Sequence, residues 1–91
     1  MNITFLLWGQ LKAAAQADSI RLDISDPHTV QNAIACLANA NDQLKGLLIG
    51  EDNGCHKSIL VFANGVQVMS DTGTSLEEGM EITLMSPIAG G

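Results

Sequence analysis

At 91 residues the chain has room for one domain and not for two. Ten acidic residues against Lys12, Arg21, Lys45 and Lys57 leave a net charge of −6. That balance argues against nucleic acid and anionic membrane surfaces, both gripped through basic patches, and fits a partner with a basic docking surface.

Only Phe5, Trp8 and Phe62 are aromatic, so the core must come from Ile, Leu, Val, Ala and Met. Cys36 and Cys55 are too few for a disulfide scaffold, and no secretory leader is recognisable. The apolar stretch Ile3–Trp8 is far too short to span a bilayer. The expectation is a cytoplasmic protein with free thiols.

Met1–Trp8 alternates, with Ile3, Phe5 and Leu7 on one face and Asn2 and Thr4 on the other. Leu6 and Trp8 make that second face apolar towards the end. This predicts a strand that Gly9 closes. Gln10–Gln16 has material for a turn of helix or an ordered loop. Ile20, Leu22 and Ile24 alternate with Arg21 and Asp23, which predicts a second strand at Ser19–Asp23, antiparallel to the first, broken by Asp26-Pro27.

Thr29 is a candidate N-cap. Behind it Val30, Ala33, Ile34, Leu37 and Ala38 recur at helical spacing, so a helix to about Ala40 should lay one stripe on a sheet. Leu44, Leu47, Leu48 and Ile49 show no clean period and read as an irregular connection along the core edge. Gly50–Gly54 is a turn-rich loop. Ser58–Ala63 and Val66–Met69 flank Asn64-Gly65, the favoured pair for a type I′ hairpin. Asp71–Ser75 is a polar loop and Leu76–Gly79 a short turn. Met80, Ile82 and Leu84 then alternate with Glu81 and Thr83 in a last strand.

Pro87 cannot continue a sheet ladder, so a tail, Ser86-Pro87-Ile88-Ala89-Gly90-Gly91, should leave the body (1–85) there. Two residues without Cβ can thread a narrow channel and deliver the terminal carboxylate to an active site that a side chain would block. A frayed end or an engineered scar are the plain alternatives. Two hairpins, one helix and a last strand make a two-layer α+β domain. Its simplest closure sets the first and last strands side by side. That is the β-grasp, ubiquitin-like fold: a mixed sheet of four to five strands with one main helix on one face.

Phe5-Leu6-Leu7-Trp8-Gly9-Gln10-Leu11-Lys12 resembles the opening of the small subunit of molybdopterin synthase, a MoaD/ThiS-type ubiquitin-like sulfur carrier. Thr29-Val30, Val61-Phe62-Ala63-Asn64-Gly65, Leu76-Glu77-Glu78-Gly79-Met80-Glu81-Ile82 and the Met85–Gly91 end are similar to that family too. Met85 stands where the family carries an aromatic residue, and Ser86 where it carries the first proline. The resemblance implies that Gly91 is adenylated and converted to a thiocarboxylate, with Pro87, Ile88, Ala89 and Gly90 as the threading tail. It also implies partners: an E1-like adenylating enzyme that uses ATP, a sulfur donor such as a cysteine desulfurase, and the large subunit of molybdopterin synthase. The chain would then not be catalytic alone. It has no GxxxxGK[ST] or GxGxxG phosphate loop of its own, so no bound cofactor is expected.

Met85 falls opposite Ile82 and Leu84 and suits a partner surface, or merely covers a sheet edge. Lys12 matches a basic position in the family's first loop and would pair with a partner acid, or stand solvated. Cys55-His56, Cys36 and His28 lack the spacing of a metal site, Cys36 reads as a small apolar residue, and Glu77-Glu78 reads as a solvated turn. The rival functions are sulfur carriage for cysteine or thiamine thiazole synthesis, a ubiquitin-like modifier joined to lysine through Gly91, and a β-grasp binding module with an idle tail.

Overall fold

A computed structural model describes residues 1–49, 59–68 and 74–86. Along them run β1 (Asn2–Trp8), α1 (Gln10–Ala15), β2 (Ser19–Asp23), α2 (Val30–Ala40), α3 (Asp42–Leu48), β3 (Leu60–Ala63), β4 (Val66–Val68) and β5 (Glu81–Met85). These strands make one sheet in the order β2-β1-β5-β3-β4. β1 and β5 are parallel, and every other neighbouring pair is antiparallel. The first and last strands therefore lie together at the sheet's centre, and the architecture is the expected α+β β-grasp.

Strand alternation decides what the sheet buries. Ile3, Phe5 and Leu7 of β1, Val61 and Ala63 of β3, and Ile82 and Leu84 of β5 share one face and are buried. α2 closes that face with Val30, Ala33, Ile34, Leu37 and Ala38, the whole stripe read from the sequence. Its start is fixed as expected: Thr29 is extended, and its Oγ1 accepts a bond from the Asn32 N–H at 3.2 Å. Each large side chain so buried contributes about 1.5–3 kcal/mol.

Residues 42–48 depart from the irregular connection that the sequence predicts. They form a second short helix, α3, with Leu44 and Leu48 buried one turn apart. Asn41 ends α2 and begins α3 at once: its Oδ1 accepts from the Gln43 N–H at 3.1 Å. A residue that terminates one helix by capping the next reads, in sequence, as a loop.

The β3–β4 hairpin turns at Asn64 and Gly65 with φ of 48° and 84°, the positive pair that a type I′ turn requires. Asn64 does more than turn. Its Oδ1 accepts from the Glu81 N–H, and its own N–H donates to the Glu81 carbonyl, both at 2.9 Å. That pins the hairpin to the start of β5. Among the described residues no buried side-chain polar atom lacks a partner, and no helix is long and apolar enough to cross a membrane.

Candidate functional site

The second face of the sheet carries the site. Where β1, β5 and β3 run side by side, register sets Trp8 opposite Met85 and Met85 opposite Leu60. The next outward-facing row holds Leu6, Thr83 and Phe62. Neighbouring strands lie about 4.8 Å apart, so each row spans roughly 10 Å. Among the described residues no helix covers this face. Trp8 is 53% exposed and Leu60 46%, while Leu6, Phe62 and Met85 are half-buried. An outer sheet face is ordinarily polar on solvent grounds, and here β2 obeys that rule with Ser19, Arg21 and Asp23. The apolar rows are confined to the centre, at the end where β5 finishes.

Lys12, from α1, stands beside them. Its Nζ is 3.0 Å from Asp18 Oδ1 and 6.0 Å from the centre of the Trp8 ring. Leu6, Leu7, Trp8, Lys12 and Asp18 line a shallow hollow of about 200 Å³. Both charges are exposed, so the pair contributes at most about 1 kcal/mol and leaves Lys12 open to exchange Asp18 for a partner's acid. Of the residues expected to meet a partner, Met85 and Lys12 are both here, Met85 paired with Trp8 across β1 and β5 and Lys12 near the Trp8 ring.

Ser86 follows β5 directly. Its Oγ accepts from the Leu11 N–H at 3.3 Å and donates to the Trp8 carbonyl at 3.3 Å. Of the two residues between them, Gly9 has φ 69° and ψ −136° and begins α1 without a side-chain cap. Pro87, Ile88, Ala89, Gly90 and Gly91 lie outside the described residues, as do Cys55 and His56. Among the described residues no group of three His, Cys, Asp or Glu side chains could hold a metal ion. Cys36 is a half-buried residue packed against the core, in keeping with its apolar reading. Of the two turn acids, Glu77 is exposed, but Glu78 is committed: its carboxylate accepts from the Asn2 N–H at 2.8 Å.

The groups with displaced titration are at the far end of β1. The Met1 amine donates to Asp23 Oδ1 at 2.7 Å. That bond holds the amine above its ordinary value of 8.0 and the Asp23 carboxyl below its ordinary 3.8, and the mutual charge adds to both. They anchor the β1–β2 pair at the end of the sheet away from Trp8 and Met85.

Sequence reading marked Leu6 and Trp8 as a second apolar face but did not join Leu60 and Phe62 to it. The signal was present, since both alternate with the buried Val61 and Ala63. What it lacked was the strand order that sets β3 beside β5.

No family model matches the chain. Small archaeal modifier protein 1 of Haloferax volcanii is 28% identical over 85 residues, covering 93% of this chain and 95% of that protein. A crystal structure of that protein superposes with a TM-score of 0.88 at 26% identity, over the whole of both chains. A putative molybdopterin converting factor subunit 1 from Pyrococcus furiosus superposes with a TM-score of 0.73 at 15% identity, covering 97% of this chain and 99% of that one. The chain thus has the ubiquitin-like β-grasp fold that MoaD/ThiS-type sulfur carriers share with small protein modifiers.

Proposed function

We propose that the chain is a ubiquitin-like sulfur carrier, the small subunit of molybdopterin synthase, whose Gly91 carboxylate is activated and then donates sulfur in molybdenum cofactor synthesis. One observation carries this reading. The strand that leads into the Gly-Gly end, β5, finishes inside an apolar patch of Trp8, Met85 and Leu60 that no described helix covers. A protein that must present its terminus to another protein's active site needs a grip close to that terminus, and this is where the grip lies. The likeness to a molybdopterin converting factor subunit supports the pathway at the level of fold.

The chemistry is set by the terminus. A carboxylate is a poor electrophile. A carboxylate oxygen of Gly91 attacks the α-phosphorus of ATP, pyrophosphate leaves, and an acyl-adenylate results. Hydrosulfide, released from the persulfide of a donor such as a cysteine desulfurase by thiols that are oxidised to a disulfide, then attacks the acyl carbon. The C–S bond forms, the C–O bond to AMP breaks, and a thiocarboxylate remains. ATP binding and phosphate chemistry belong to the E1-like adenylating partner. The large subunit of molybdopterin synthase receives the sulfur. The carrier contributes the docking face, the 86–91 tail and the reactive end, all in the cytoplasm and without a resident cofactor.

A second reading is that Gly91 is joined to lysines of other proteins, and its support is the likeness to small archaeal modifier protein 1. Both readings pass through the same adenylate, so intact mass separates them. With ATP, an adenylating enzyme and hydrosulfide, a carrier gains the mass difference of one oxygen exchanged for sulfur. Lysine-linked adducts alone, in cell extract, would favour the modifier. A chain lacking Gly91 that kept every partner activity would sink both.

A further inference from the structure

We propose that Ser86 is a positioning residue that aims the C-terminal tail, and that Gly9 is the glycine that makes room for it. The proposal rests on activation of the Gly91 carboxylate. α1 is six residues long and opens on a glycine that cannot cap it. The missing cap is supplied from 75 residues away: Ser86 Oγ accepts from the Leu11 N–H, one of the helix's unpaired first-turn donors. The same hydroxyl donates to the Trp8 carbonyl, and the Ser86 N–H points at that carbonyl at 3.5 Å. The first residue after β5 is therefore held through its hydroxyl and its N–H by the β1–α1 turn.

That fit depends on position 9 lacking a Cβ. One built there would sit 2.6 Å from the Ser86 carbonyl oxygen and 2.9 Å from its Oγ. The backbone at Gly9, φ +69°, is also a conformation that side chains oppose. The turn thus admits Ser86 and holds it in place at the point where β5 hands over to the tail sequence. A tail that leaves the body in one direction reaches a partner's active site with less orientation to lose. A tail pivoting about residue 86 would dock equally well and react more slowly.

The test compares Ser86→Ala with Ser86→Thr in the full chain, since neither change touches the core. Hydrogen exchange at the Leu11 amide reports the clamp. Exchange should quicken about threefold to tenfold in Ser86→Ala, as loss of one ordinary hydrogen bond implies, and Ser86→Thr should restore it. Pyrophosphate exchange by the chain's adenylating enzyme reports the positioning. There kcat should fall by a similar factor in Ser86→Ala with KM within twofold, and Thr should rescue it. Gly9→Ala should lose the clamp together with some stability. Unchanged Leu11 exchange in Ser86→Ala overturns the clamp. Quickened exchange with unchanged kcat, or a loss confined to KM, overturns the positioning role. A wild-type chain that elicits no pyrophosphate exchange overturns the activation reading instead, and the Leu11 result still judges the clamp by itself.

Discussion

Truncating Trp8 to alanine tests the docking face most sharply. A tryptophan side chain can bury about 150–250 Å². Trp8 leaves 53% of its surface in solvent, so roughly 80–130 Å² remains for a partner to cover. At about 25 cal/mol per Å² that is worth about 2–3 kcal/mol, or about 30- to 150-fold in affinity. Coverage of only half the exposed ring would still leave about fivefold to tenfold. The assay is the KM of the adenylating enzyme for the carrier, read from pyrophosphate exchange. Trp8→Ala should raise KM and leave kcat within twofold, because the side chain projects from the outer face while its backbone carbonyl keeps Ser86. Val66→Asn is the control. Val66 is 66% exposed, yet its register with Ala63 puts it on the core side of the sheet's edge. A Trp8→Ala chain that folds and keeps its KM within twofold, or a Val66→Asn chain that loses as much, would refute the docking face.

Leu48→Ala, in the helix that the sequence did not reveal, should cost about 2–5 kcal/mol by chemical denaturation, because Leu48 is fully buried. A cost under about 0.5 kcal/mol, the range of a surface change, would mean that α3 does not share the core. Asn64→Gly should cost about 0.5–1.5 kcal/mol, since it keeps the turn conformation and loses the Oδ1 bond to the Glu81 N–H; Asn64→Ala should cost more, because φ is 48° there. The Met1–Asp23 pair predicts two edges in a stability–pH profile. The amine's contribution is complete below its ordinary 8.0 and is lost as pH rises through the raised value. The carboxyl's is present above its ordinary 3.8 and is lost as pH falls through the lowered value. Acetylating Met1 should erase the alkaline edge and shrink the acid one, and Asp23→Asn should erase the acid edge and shrink the alkaline one, as followed by thermal unfolding across pH.

What the sequence made legible follows from how local each signal was. α2 carried a complete apolar stripe behind a capping threonine, and the hairpin carried Asn-Gly between two β-rich runs, so both read directly. β1 and β5 alternated, and the need to bury both pairs of strands left few ways to order them. α3 was illegible because two turns of helix give only Leu44 and Leu48 as a pair, Gly46 interrupts them, and Asn41 looks like an end rather than a beginning. Of the candidate residues, Met85 was picked out by strand alternation and Lys12 by the family resemblance. Leu60 and Phe62 were not, because their membership depends on β3 pairing with β5 across some twenty residues of chain. Ser86 reads as the first residue of a loose tail until the Gly9 turn is seen against it.

The parallel pairing of β1 with β5 explains why the apolar rows, Lys12 and Ser86 share one end of the sheet. Parallel neighbours finish at the same end of a sheet, so the turn after Trp8 and the chain after Met85 must emerge together. The antiparallel partner β3 begins at that end, which brings Leu60 to the same row. The opposite end is tied down by different means: the Met1 amine on Asp23, the Asn2 N–H on Glu78, and Asn64 on Glu81. One end of the sheet is thus spent on closing the fold and the other left open. An antiparallel β1–β5 pair would have put Ser86 at the Met1 end of the sheet, away from Trp8 and Lys12, and no choice of residues along the strands would have brought them back together.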